Sequence, residues 1–359
     1  MTDIVEVEEA KEVFTPILLE WYAANKRTLP WRENHDPYSI WLSEIILQQT
    51  RIDQGMAYYH KFMDAFPEVR FLAAASEDQV LRHWQGLGYY SRARNLHSAA
   101  KMVMNEFGGL FPKEYEQILK LPGVGPYTAA AIASMAFGKQ HAVVDGNVFR
   151  LLSRWFGIAT PIDSTSGKKE FSALANALIP ASRPGDFNQA MMDFGSLVCR
   201  PVSPLCGGCP LAAGCTALRK NKVGVYPAKA GKTKVKSRYL LYLLPQDKNG
   251  NTLIRRRNSN DIWQGLYEFP LIEFDVAELR DNFLNHPNFI AKLNDWQGTV
   301  QEISGEKQHL LSHRRLHLVF VHIKASKLRA ERELIILPEA DLHKYAMPRA
   351  ITRYLEQKG

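Results

Sequence analysis

The pattern of apolar and polar residues divides the chain into a helical part and a strand-rich part. From Val13 to about Lys220, apolar residues recur at helical spacing, with short Gly, Pro and Asp breaks and no long alternation of period two. A Lys-rich stretch at 221–238 is typical of a linker. Beyond it, residues 239–244, 252–254, 317–323 and 333–337 are strand-like. We therefore expect an all-α domain at 1–220, a basic linker at 221–238 and an α+β domain at 239–359.

Composition supports two folded domains and leaves the meaning of the charge open. The chain has 359 residues, of which 46% are hydrophobic, which is enough for two cores and too apolar for a disordered protein. Its formal net charge of +8 suits either a polyanionic partner or a role in solubility. The N-terminus is acidic, unlike a signal peptide, and the longest apolar-rich stretch, 128–137, is too short to span a bilayer. We expect a soluble, cytoplasmic protein that makes no membrane contact.

Four cysteines lie in one short window. Cys199, Cys206, Cys209 and Cys215 have the spacing C-x6-C-x2-C-x5-C. A disulfide framework would spread its cysteines along the chain, whereas a tight cluster indicates a metal site. Four sulfur ligands suit zinc or an iron-sulfur cluster about equally. The spacing lacks the paired C-x2-C knuckles of a zinc ribbon, which favours the cluster slightly.

Glu44 is a candidate general acid. Asp36 and Pro37 open a predicted helix that is apolar on nearly every side and includes Glu44. Burial disfavours the charged form of a carboxyl and raises its pKa, so that Glu44 would hold a proton near neutral pH. The alternative is a Glu on the one polar edge of the helix, paired with an Arg, and this segment alone favours that alternative.

Asp145 is the second carboxylate of interest. It precedes a helix in which Val148, Leu151, Leu152 and Trp155 form an apolar stripe, so it falls at or near the N-cap. There the helix dipole and free N–H groups favour the ionised form, and we expect the opposite pKa bias from that of Glu44. An acid paired with an anion is what glycosidic-bond cleavage requires. A plain structural cap is the alternative.

Between the two carboxylates, the chain carries a Gly-rich turn that joins two predicted helices. Leu121, Pro122, Gly123, Val124 and Gly125 form this turn, and Pro126 begins the second helix. The glycines let the backbone approach a ligand closely, and the N–H groups at the helix start can hold an anion. The turn therefore favours phosphate binding over an ordinary αα-corner, without any reading of base sequence.

Five motifs together point to one family. They are residues 43–50 (SEIILQQT), residues 86–94 (GLGYYSRAR), the hairpin at 121–125, residues 144–147 (VDGN) and the cysteine spacing. In this order they resemble the helix-hairpin-helix DNA glycosylases, and within them the MutY-type adenine DNA glycosylases. The resemblance covers about residues 13–222. It implies an all-α helix-hairpin-helix catalytic domain whose cysteines carry a 4Fe-4S cluster.

The same resemblance implies an activity and a partner. Enzymes of this type remove adenine mispaired with 8-oxoguanine or guanine in double-stranded DNA, during base excision repair. The adenine must leave the base stack, because a general acid cannot reach its N7 atom productively inside a duplex. We expect a monomer that binds duplex DNA, associated with the nucleoid if the source is bacterial.

The resemblance also implies residue roles. Glu44 would protonate adenine at N7 and later activate water, and Asp145 would stabilise or trap the sugar cation, with support from Tyr127 and Asn147. The pocket of the extruded adenine would be lined by Trp31, Arg32, Gln189 and Met192. The opened duplex would be probed or filled by Gln48, Gln49, Thr50, Leu87 and Tyr89, with the Tyr ring as a stacking wedge. The hairpin contacts to DNA would come from Leu121, Gly123, Val124 and Gly125.

One sequence position distinguishes adenine glycosylases from the related glycosylase-lyases. Endonuclease III-like glycosylase-lyases carry a Schiff-base Lys just after the hairpin, where this chain has Tyr127. Phe149 also replaces a Lys that some adenine glycosylases carry. We therefore predict a monofunctional enzyme. The alternatives are an endonuclease III-like enzyme acting on oxidised pyrimidines and a non-catalytic DNA-binding protein.

The second domain resembles the Nudix-like recognition domain of the same family, most clearly at residues 262–270 (IWQGLYEFP). Residues 276–285 lack the glutamate-rich metal box of active Nudix hydrolases, so pyrophosphohydrolase chemistry is not expected. Leu311, Ser312 and His313 match a Phe-Ser-His loop that contacts 8-oxoguanine. Leu311 departs from the Phe of that loop, whereas Ser312 and His313 match it.

Overall fold

A computed structural model describes residues 4–231, 235–258, 260–277, 281–311, 314–330 and 333–358, with the backbone alone for residues 4–7. The chain forms two compact units. The first contains Met1–Ala74 and Asn95–Gly231, and the second contains Ala75–Arg94 and Lys232–Gly359. The second unit is therefore built from two separate stretches of the sequence.

The helical part of the chain follows the predicted pattern. Its helices are α1 (Ile4–Asn25), α2 (Pro37–Leu47), α3 (Ile52–Ala65), α4 (Val69–Ala74), α5 (Glu77–Trp84), α6 (Ser91–Glu106), α7 (Tyr115–Ile118), α8 (Pro126–Phe137), α9 (Gly146–Phe156), α10 (Thr165–Leu178), α11 (Pro184–Leu197) and α12 (Thr216–Arg219), with a 3-10 turn at Pro30–Arg32. Helix α5 lies in the Ala75–Arg94 stretch, where α6 also begins. Among the described residues, no helix combines the length and apolar composition needed to cross a membrane.

One core of the first unit is formed by α1, α9, α10 and α11. The predicted apolar stripe of α9 is buried, and it packs with Phe14 of α1, Phe171 of α10 and Phe187 of α11. Helix α9 ends at Phe156, and the C-cap that follows, Gly157, has a φ of 72° that a glycine adopts without strain. This packing fixes the N-terminus of α9, and therefore Asp145, relative to α11.

The second unit contains a mixed sheet. Its described strands are β1 (Lys236–Gln246), β2 (Asn251–Arg256), β3 (Tyr267–Glu268), β4 (Leu271–Phe274), β5 (Gly298–Ile303), β6 (Lys307–Leu310), β7 (Arg314–Ala325) and β8 (Leu334–Pro338). The main order is β3-β2-β1-β7-β5, with β4 on β1, β6 on β7 and β8 on β2. Strands β1 and β7 run parallel, from Lys236 opposite Arg314 to Gln246 opposite Lys324. All four predicted strand-like runs overlap β1, β2, β7 or β8.

Both faces of the central strand are buried. Leu240, Tyr242 and Leu244 of β1 belong to one apolar cluster, whereas Leu241 and Leu243 belong to another. Because successive side chains of a strand point to opposite faces, each face of the sheet has its own core. Helix α14 (Arg349–Glu356) packs into the first cluster, and α13 (Pro287–Trp296) packs into the second. The all-α prediction for the first domain and the α+β prediction for the second are confirmed.

The boundary between the units falls inside the predicted linker, but the linker is not free along its length. The backbone N–H of Ile162 donates to the carbonyl oxygen of Ala228 at 3.1 Å, and the N–H of Ala230 donates to the Asp163 carboxylate at 2.8 Å. Residues up to Gly231 therefore pack on the helical unit, and β1 begins at Lys236, earlier than predicted. Residues 276–285, for which the sequence also predicts a helix, lie partly outside the described residues.

Candidate active site

Glu44 lies on α2 and is buried, with 9% of its surface exposed. Helix α2 begins where the Asp36 carboxylate accepts hydrogen bonds from the N–H groups of Tyr38 and Ser39, and nearly all of its residues are buried. Burial raises the pKa of Glu44 to about 7, and the charge of Asp145 acts in the same direction. A hydrogen bond from Tyr127 acts against this rise. The expectation that Glu44 is desolvated is confirmed, and it does not lie on a polar helix edge.

The hydroxyl of Tyr127 interacts with both the Glu44 carboxyl and the sulfur of Met192. It occupies the first turn of α8, bonds to the Glu44 carboxyl, and its hydroxyl lies 3.2 Å from Sδ of Met192. Burial raises the pKa of Tyr127, so the phenol stays neutral. Its single proton goes either to an ionised Glu44 or to the sulfur. When Glu44 is protonated, the carboxyl can donate to the phenol oxygen and the phenol to Met192.

Asp145 caps α9 as predicted. Its carboxylate accepts from the N–H groups of Asn147 at 2.9 Å and Val148 at 2.8 Å, and from Nδ2 of Asn147 at 2.8 Å. The predicted direction of its pKa is wrong. Burial raises the pKa of Asp145 more than these hydrogen bonds and the charge of Arg150 lower it. Desolvation by the surrounding tertiary structure therefore outweighs the local N-cap.

Asn147 is held from its other side by residues that sequence reasoning missed. Its Oδ1 accepts from Nη2 of the buried Arg150 at 2.7 Å, and the same Nη2 donates to the Gly195 carbonyl at 2.6 Å. A Cβ on Gly195 would lie 2.7 Å from Cβ of Asn147, so glycine is required where α11 passes α9. No local pattern marks either residue, because both act through contacts between helices.

A cavity of about 420 Å³ brings together three of the four predicted adenine-pocket residues. It is lined by Trp31, Arg32 and Gln189, together with groups that the sequence did not reveal, among them Tyr22, His35, Met135, Arg183 and Asp186. Met192 instead contacts Tyr127. The amide Nε2 of Gln189 lies 3.1 Å from Sδ of Met135, which orients the Gln189 side chain at the cavity wall.

Arg32 is clamped by a carboxylate that the sequence analysis did not single out. Nη1 and Nη2 of Arg32 donate to the two oxygens of Asp193 at 2.8 and 3.0 Å, and Arg27 binds the same carboxylate. Burial alone would raise the pKa of Asp193, but the two guanidinium groups hold it below its usual range. In the described part of the chain, Nε of Arg32 is buried without a hydrogen-bond partner. Arg32 thus keeps one donor free beside the cavity.

The residues predicted to open the duplex belong to different units. Gln48, Gln49 and Thr50 follow α2 in the first unit; Gln49 has a φ of 58°, and Nε2 of Gln48 donates to Oγ1 of Thr128 at 3.4 Å. Leu87 and Tyr89 lie in the Ala75–Arg94 stretch of the second unit. Tyr89 is 46% exposed, which fits a loop tip, whereas the Leu87 side chain is buried.

The hairpin presents its backbone and buries its apolar side chains. Leu121 and Val124 are buried. Gly123 has a φ of 75°, and a Cβ there would lie 2.6 Å from Cβ of Asn95. Gly125 is the N-cap of α8, and a Cβ on it would meet open space. The two glycines therefore serve different purposes, because only Gly123 is required by the fold.

All four cysteines line one largely apolar cavity. Nη1 of Arg154 lies 3.4 Å from Sγ of Cys199, and the N–H of Leu211 bonds to Cys209. Burial raises the pKa of Cys209 to about 11, so a bound cation would be needed to keep it as the thiolate. Within the described ranges, no three His, Cys, Asp or Glu side chains form a preassembled single-ion site. Four sulfurs around one cavity with N–H donors fit a sulfur-ligated centre.

The predicted 8-oxoguanine contacts can be placed in part. Leu311 is half-buried against the β1–β7 core, and its N–H donates to the carbonyl oxygen of Arg314 at 2.8 Å. Ser312 and His313 lie outside the described residues. The structure therefore describes Leu311 and Arg314, the residues on either side of these two positions.

Comparison with known proteins agrees with the two units. A family described as HhH-GPD superfamily base excision DNA repair protein matches residues 42–179, and a NUDIX domain matches residues 241–357. The chain is 34% identical to the adenine DNA glycosylase of Buchnera aphidicola subsp. Baizongia pistaciae, over 88% of this chain and 87% of that protein. It is also 34% identical to the adenine DNA glycosylase of Mus musculus, over 84% of this chain and 69% of that protein.

Solved structures agree on the helical fold. A thermostable thymine-DNA glycosylase is similar with a TM-score of 0.55 at 32% identity, over 59% of this chain and 98% of that chain. An endonuclease III in complex with DNA has a TM-score of 0.51 at 20% identity, over 62% of this chain and 99% of that chain. The second likeness shows a shared fold alone.

Proposed function

Because the chain belongs to the adenine DNA glycosylase family, we propose that it excises adenine opposite 8-oxoguanine or guanine in duplex DNA by two-carboxylate chemistry. The observation that carries this proposal is the buried Glu44, whose pKa of about 7 leaves it substantially protonated at neutral pH. An acid of that strength can protonate a leaving base under physiological conditions. A protein that bound DNA without chemistry would have no use for this group, which costs stability when it ionises.

In the proposed reaction, the adenine is extruded from the duplex into the cavity lined by Trp31, Arg32 and Gln189. Glu44 protonates N7, which converts the adenine into a neutral leaving group as the glycosidic bond breaks. Asp145, in its ionised form, stabilises or traps the oxocarbenium ion of the sugar. Glu44, now a carboxylate, then activates the water that attacks the sugar.

The hydrogen-bond donors around Asp145 support the assignment of Glu44 as the acid and Asp145 as the anion. Asn147 and Val148 present three N–H groups to its oxygens, and they favour the anion at the moment when positive charge develops on the sugar. Tyr127 stands where a lyase would carry its Schiff-base Lys, and its neutral phenol is not an amine nucleophile. The enzyme is therefore monofunctional and leaves an abasic site.

We assign the four cysteines, Cys199, Cys206, Cys209 and Cys215, to a 4Fe-4S cluster. When bound, the cluster would supply a rigid fold for the loop that carries it, since its four thiolates tie together residues 199–215. Arg154, which reaches toward Cys199 from α9, would stabilise the thiolate charge. Arg200, Arg219, Lys220 and Lys222 would surround the loop with positive charge for DNA phosphates.

In the second unit, we assign recognition of 8-oxoguanine to the segment that contains Leu311, Ser312 and His313. This assignment rests on the match of the motif and on the NUDIX domain that surrounds it. With duplex DNA as its partner, the protein would act as a monomer in the cytoplasm, or on the nucleoid of a bacterium.

A panel of duplexes tests the activity. We expect single-turnover release of adenine from A:8-oxoguanine and A:G duplexes, and loss of this release in Glu44→Gln with duplex binding retained. Substantial release by Glu44→Gln would contradict the acid assignment. The matched control is Glu116→Gln, which changes the same group on the short α7 outside the cavity.

Two further duplexes test the alternatives. Thymine release from T:G would favour the activity named for the similar thymine-DNA glycosylase, and we expect none. Borohydride trapping of a covalent adduct on a thymine glycol duplex would favour an endonuclease III-like lyase. Salt-dependent binding without release of any base would favour a non-catalytic DNA-binding protein.

A further inference from the structure

The backbone of the loop that carries Tyr89 is held in an unusual conformation. Gly86 has a φ of 103°, Gly88 a φ of 71° and Tyr89 a φ of 47°. Glycine adopts such angles freely, whereas an aromatic residue in the left-handed region is strained. Tyr89 is also 46% exposed, so packing of its ring in a core cannot be what holds the backbone there. Other contacts must stabilise this conformation.

The side chain of Arg92 supplies such contacts. Its Nη2 lies 3.3 Å from the carbonyl oxygen of Leu87 and 3.3 Å from that of Gly88. Its guanidinium carbon lies 5.0 Å from the centre of the Trp84 ring and 5.6 Å from that of the Tyr89 ring, which are cation–π distances. One arginine therefore contacts both the backbone next to Tyr89 and the ring of Tyr89 itself.

Trp84 forms the base on which this arrangement rests. It is fully buried at the end of α5, and its indole N–H donates to the carbonyl oxygen of Gly88 at 2.9 Å. The backbone N–H of Arg92 donates to the carbonyl oxygen of Tyr89 at 2.9 Å, which joins the loop to the first turn of α6. The guanidinium of Arg92 is thus fixed against a rigid ring on one side and the loop on the other.

Helix formation does not account for an arginine at this position. Arg92 is the second residue of α6, where the helix dipole disfavours a cation. Burial also disfavours the charge and lowers the pKa of Arg92 to about 10, which leaves the group protonated at neutral pH. The charge is therefore kept at an unfavourable place, and the contacts with residues 84–89 offset this cost.

We propose that Arg92 is a positioning residue for Tyr89, holding the exposed ring at the tip of the 86–89 loop ready to enter the opened duplex. The inference rests on the proposed function, because it concerns how a mispaired duplex is recognised. An exposed aromatic ring can wedge between base steps or stack on an unstacked base. A ring that is already in place binds more tightly, because only the competent fraction of loop conformations can bind.

The test measures a discrimination ratio, defined as the Kd for a fully paired A:T duplex divided by the Kd for the same duplex with A:8-oxoguanine. A 2′-fluorine on the target adenosine of both duplexes destabilises the sugar cation, so that the adenine stays attached during the titration. Contacts to phosphates act on both duplexes and cancel in the ratio. We expect Arg92→Gln to lower the ratio by about tenfold, the size expected for loss of charge-assisted hydrogen bonds.

A second variant separates the position of the side chain from its charge. Arg92→Lys keeps the positive charge but lacks the planar fork that reaches two carbonyl oxygens and stacks on a ring. We expect it to lower the ratio severalfold. The matched control is Arg82→Gln, which removes the same charge from an exposed position on α5 and should leave the ratio unchanged.

A positioning role also predicts that Arg92 and Tyr89 are coupled. Tyr89→Asn removes the ring, and asparagine tolerates the left-handed backbone. This variant should lower the ratio at least as much as Arg92→Gln does, and adding Arg92→Gln to it should cause no further loss. Melting temperatures of all variants show whether the fold is retained.

The outcomes separate this inference from the proposed function. A wild-type protein that releases no adenine would overturn the proposed chemistry, whereas a wild-type ratio of one would overturn the proposed mispair recognition and this inference with it. A wild-type ratio above one that Arg92→Gln or Arg92→Lys leaves unchanged would overturn the role of Arg92 alone. A further loss in the double variant, or the same loss in Arg82→Gln, would also overturn it, because the effect would then not pass through Tyr89.

Discussion

The acidity of Glu44 is set by neighbours that act in opposite directions. Burial and the charge of Asp145 raise its pKa, whereas the hydrogen bond from Tyr127 and the charge of Arg32 lower it. The balance near 7 is useful for a group that must first donate a proton and then act as a base. Each neighbour can be removed separately, so its contribution can be measured.

We expect single-turnover adenine release to fall as the pH rises through about 7, because Glu44 must be protonated to act. Tyr127→Phe removes the hydrogen bond that lowers the pKa of Glu44, so the alkaline limb should move to higher pH. The measurement is the pH profile of the rate. Tyr115→Phe is the control, since Tyr115 stacks on His141 and is not among the groups that shift the pKa of Glu44. An unshifted limb in Tyr127→Phe would mean that Glu44 does not control the profile.

The two carboxylates show what local sequence can predict about a site. The apolar residues around Glu44 are its own neighbours on α2, so its burial and raised pKa could be proposed from the sequence, although this segment alone favours a Glu on a polar edge of the helix. The N-cap position of Asp145 could also be predicted from the sequence, but the direction of its pKa shift could not. That direction depends on burial by other parts of the fold, and the same limitation concealed Asp193 and Arg150, which act across helix contacts.

Helix α9 depends on Asp145 for its cap as well as for the proposed chemistry. Asp145→Asn keeps an oxygen for the N–H groups of Asn147 and Val148 but loses the charge, whereas Asp145→Ala loses both. We expect Asp145→Ala to cost about 1 kcal/mol of unfolding free energy and Asp145→Asn much less. Both should slow adenine release by at least about a hundredfold. Denaturant unfolding and single-turnover kinetics measure the two effects, and normal release by Asp145→Asn would reduce Asp145 to a cap.

In the hairpin between α7 and α8, substitutions at two glycines can likewise distinguish an effect on stability from an effect on DNA binding. Gly123→Ala places a Cβ against Asn95 at a φ of 75°, and it should destabilise the protein by about 1–2 kcal/mol. Gly125→Ala has open space for its Cβ, so the stability should not change. If DNA phosphates approach this backbone, Gly125→Ala should still weaken duplex binding. Melting temperatures and binding titrations distinguish the two, and unchanged binding in Gly125→Ala would place the phosphate elsewhere.

At the scale of the whole chain, the order of a helical part followed by a strand-rich part could be predicted because periodicity is a local property. The strands that were missed, β3 to β6, are short or carry many polar residues, as in β5. The placement of Ala75–Arg94 in the second unit could not be predicted. It rests on pairs such as Glu77 with Arg256 and Asp78 with Tyr267, whose members are 179 and 189 residues apart.

This placement predicts how the chain responds to cleavage. The second unit needs both Ala75–Arg94 and the residues after Gly231, and the two stretches are joined by Arg256 with Glu77 at 2.7 Å and by Arg94 with Gln264 at 3.2 Å. If a specific protease site is inserted after Gly231 and cut, the two fragments should elute together in gel filtration. The cut leaves the contacts within the second unit intact.

Weakening those contacts should separate the fragments. Arg94→Ala combined with Arg256→Ala removes both guanidinium groups, so the cut fragments should dissociate more readily as the protein is diluted or the salt concentration is raised. Arg70→Ala is the control, because its ion pair with Glu68 is exposed and lies in the first unit. Immediate separation of the wild-type fragments would show that Ala75–Arg94 does not hold the C-terminal residues, because a stable second unit would keep the cut chain together.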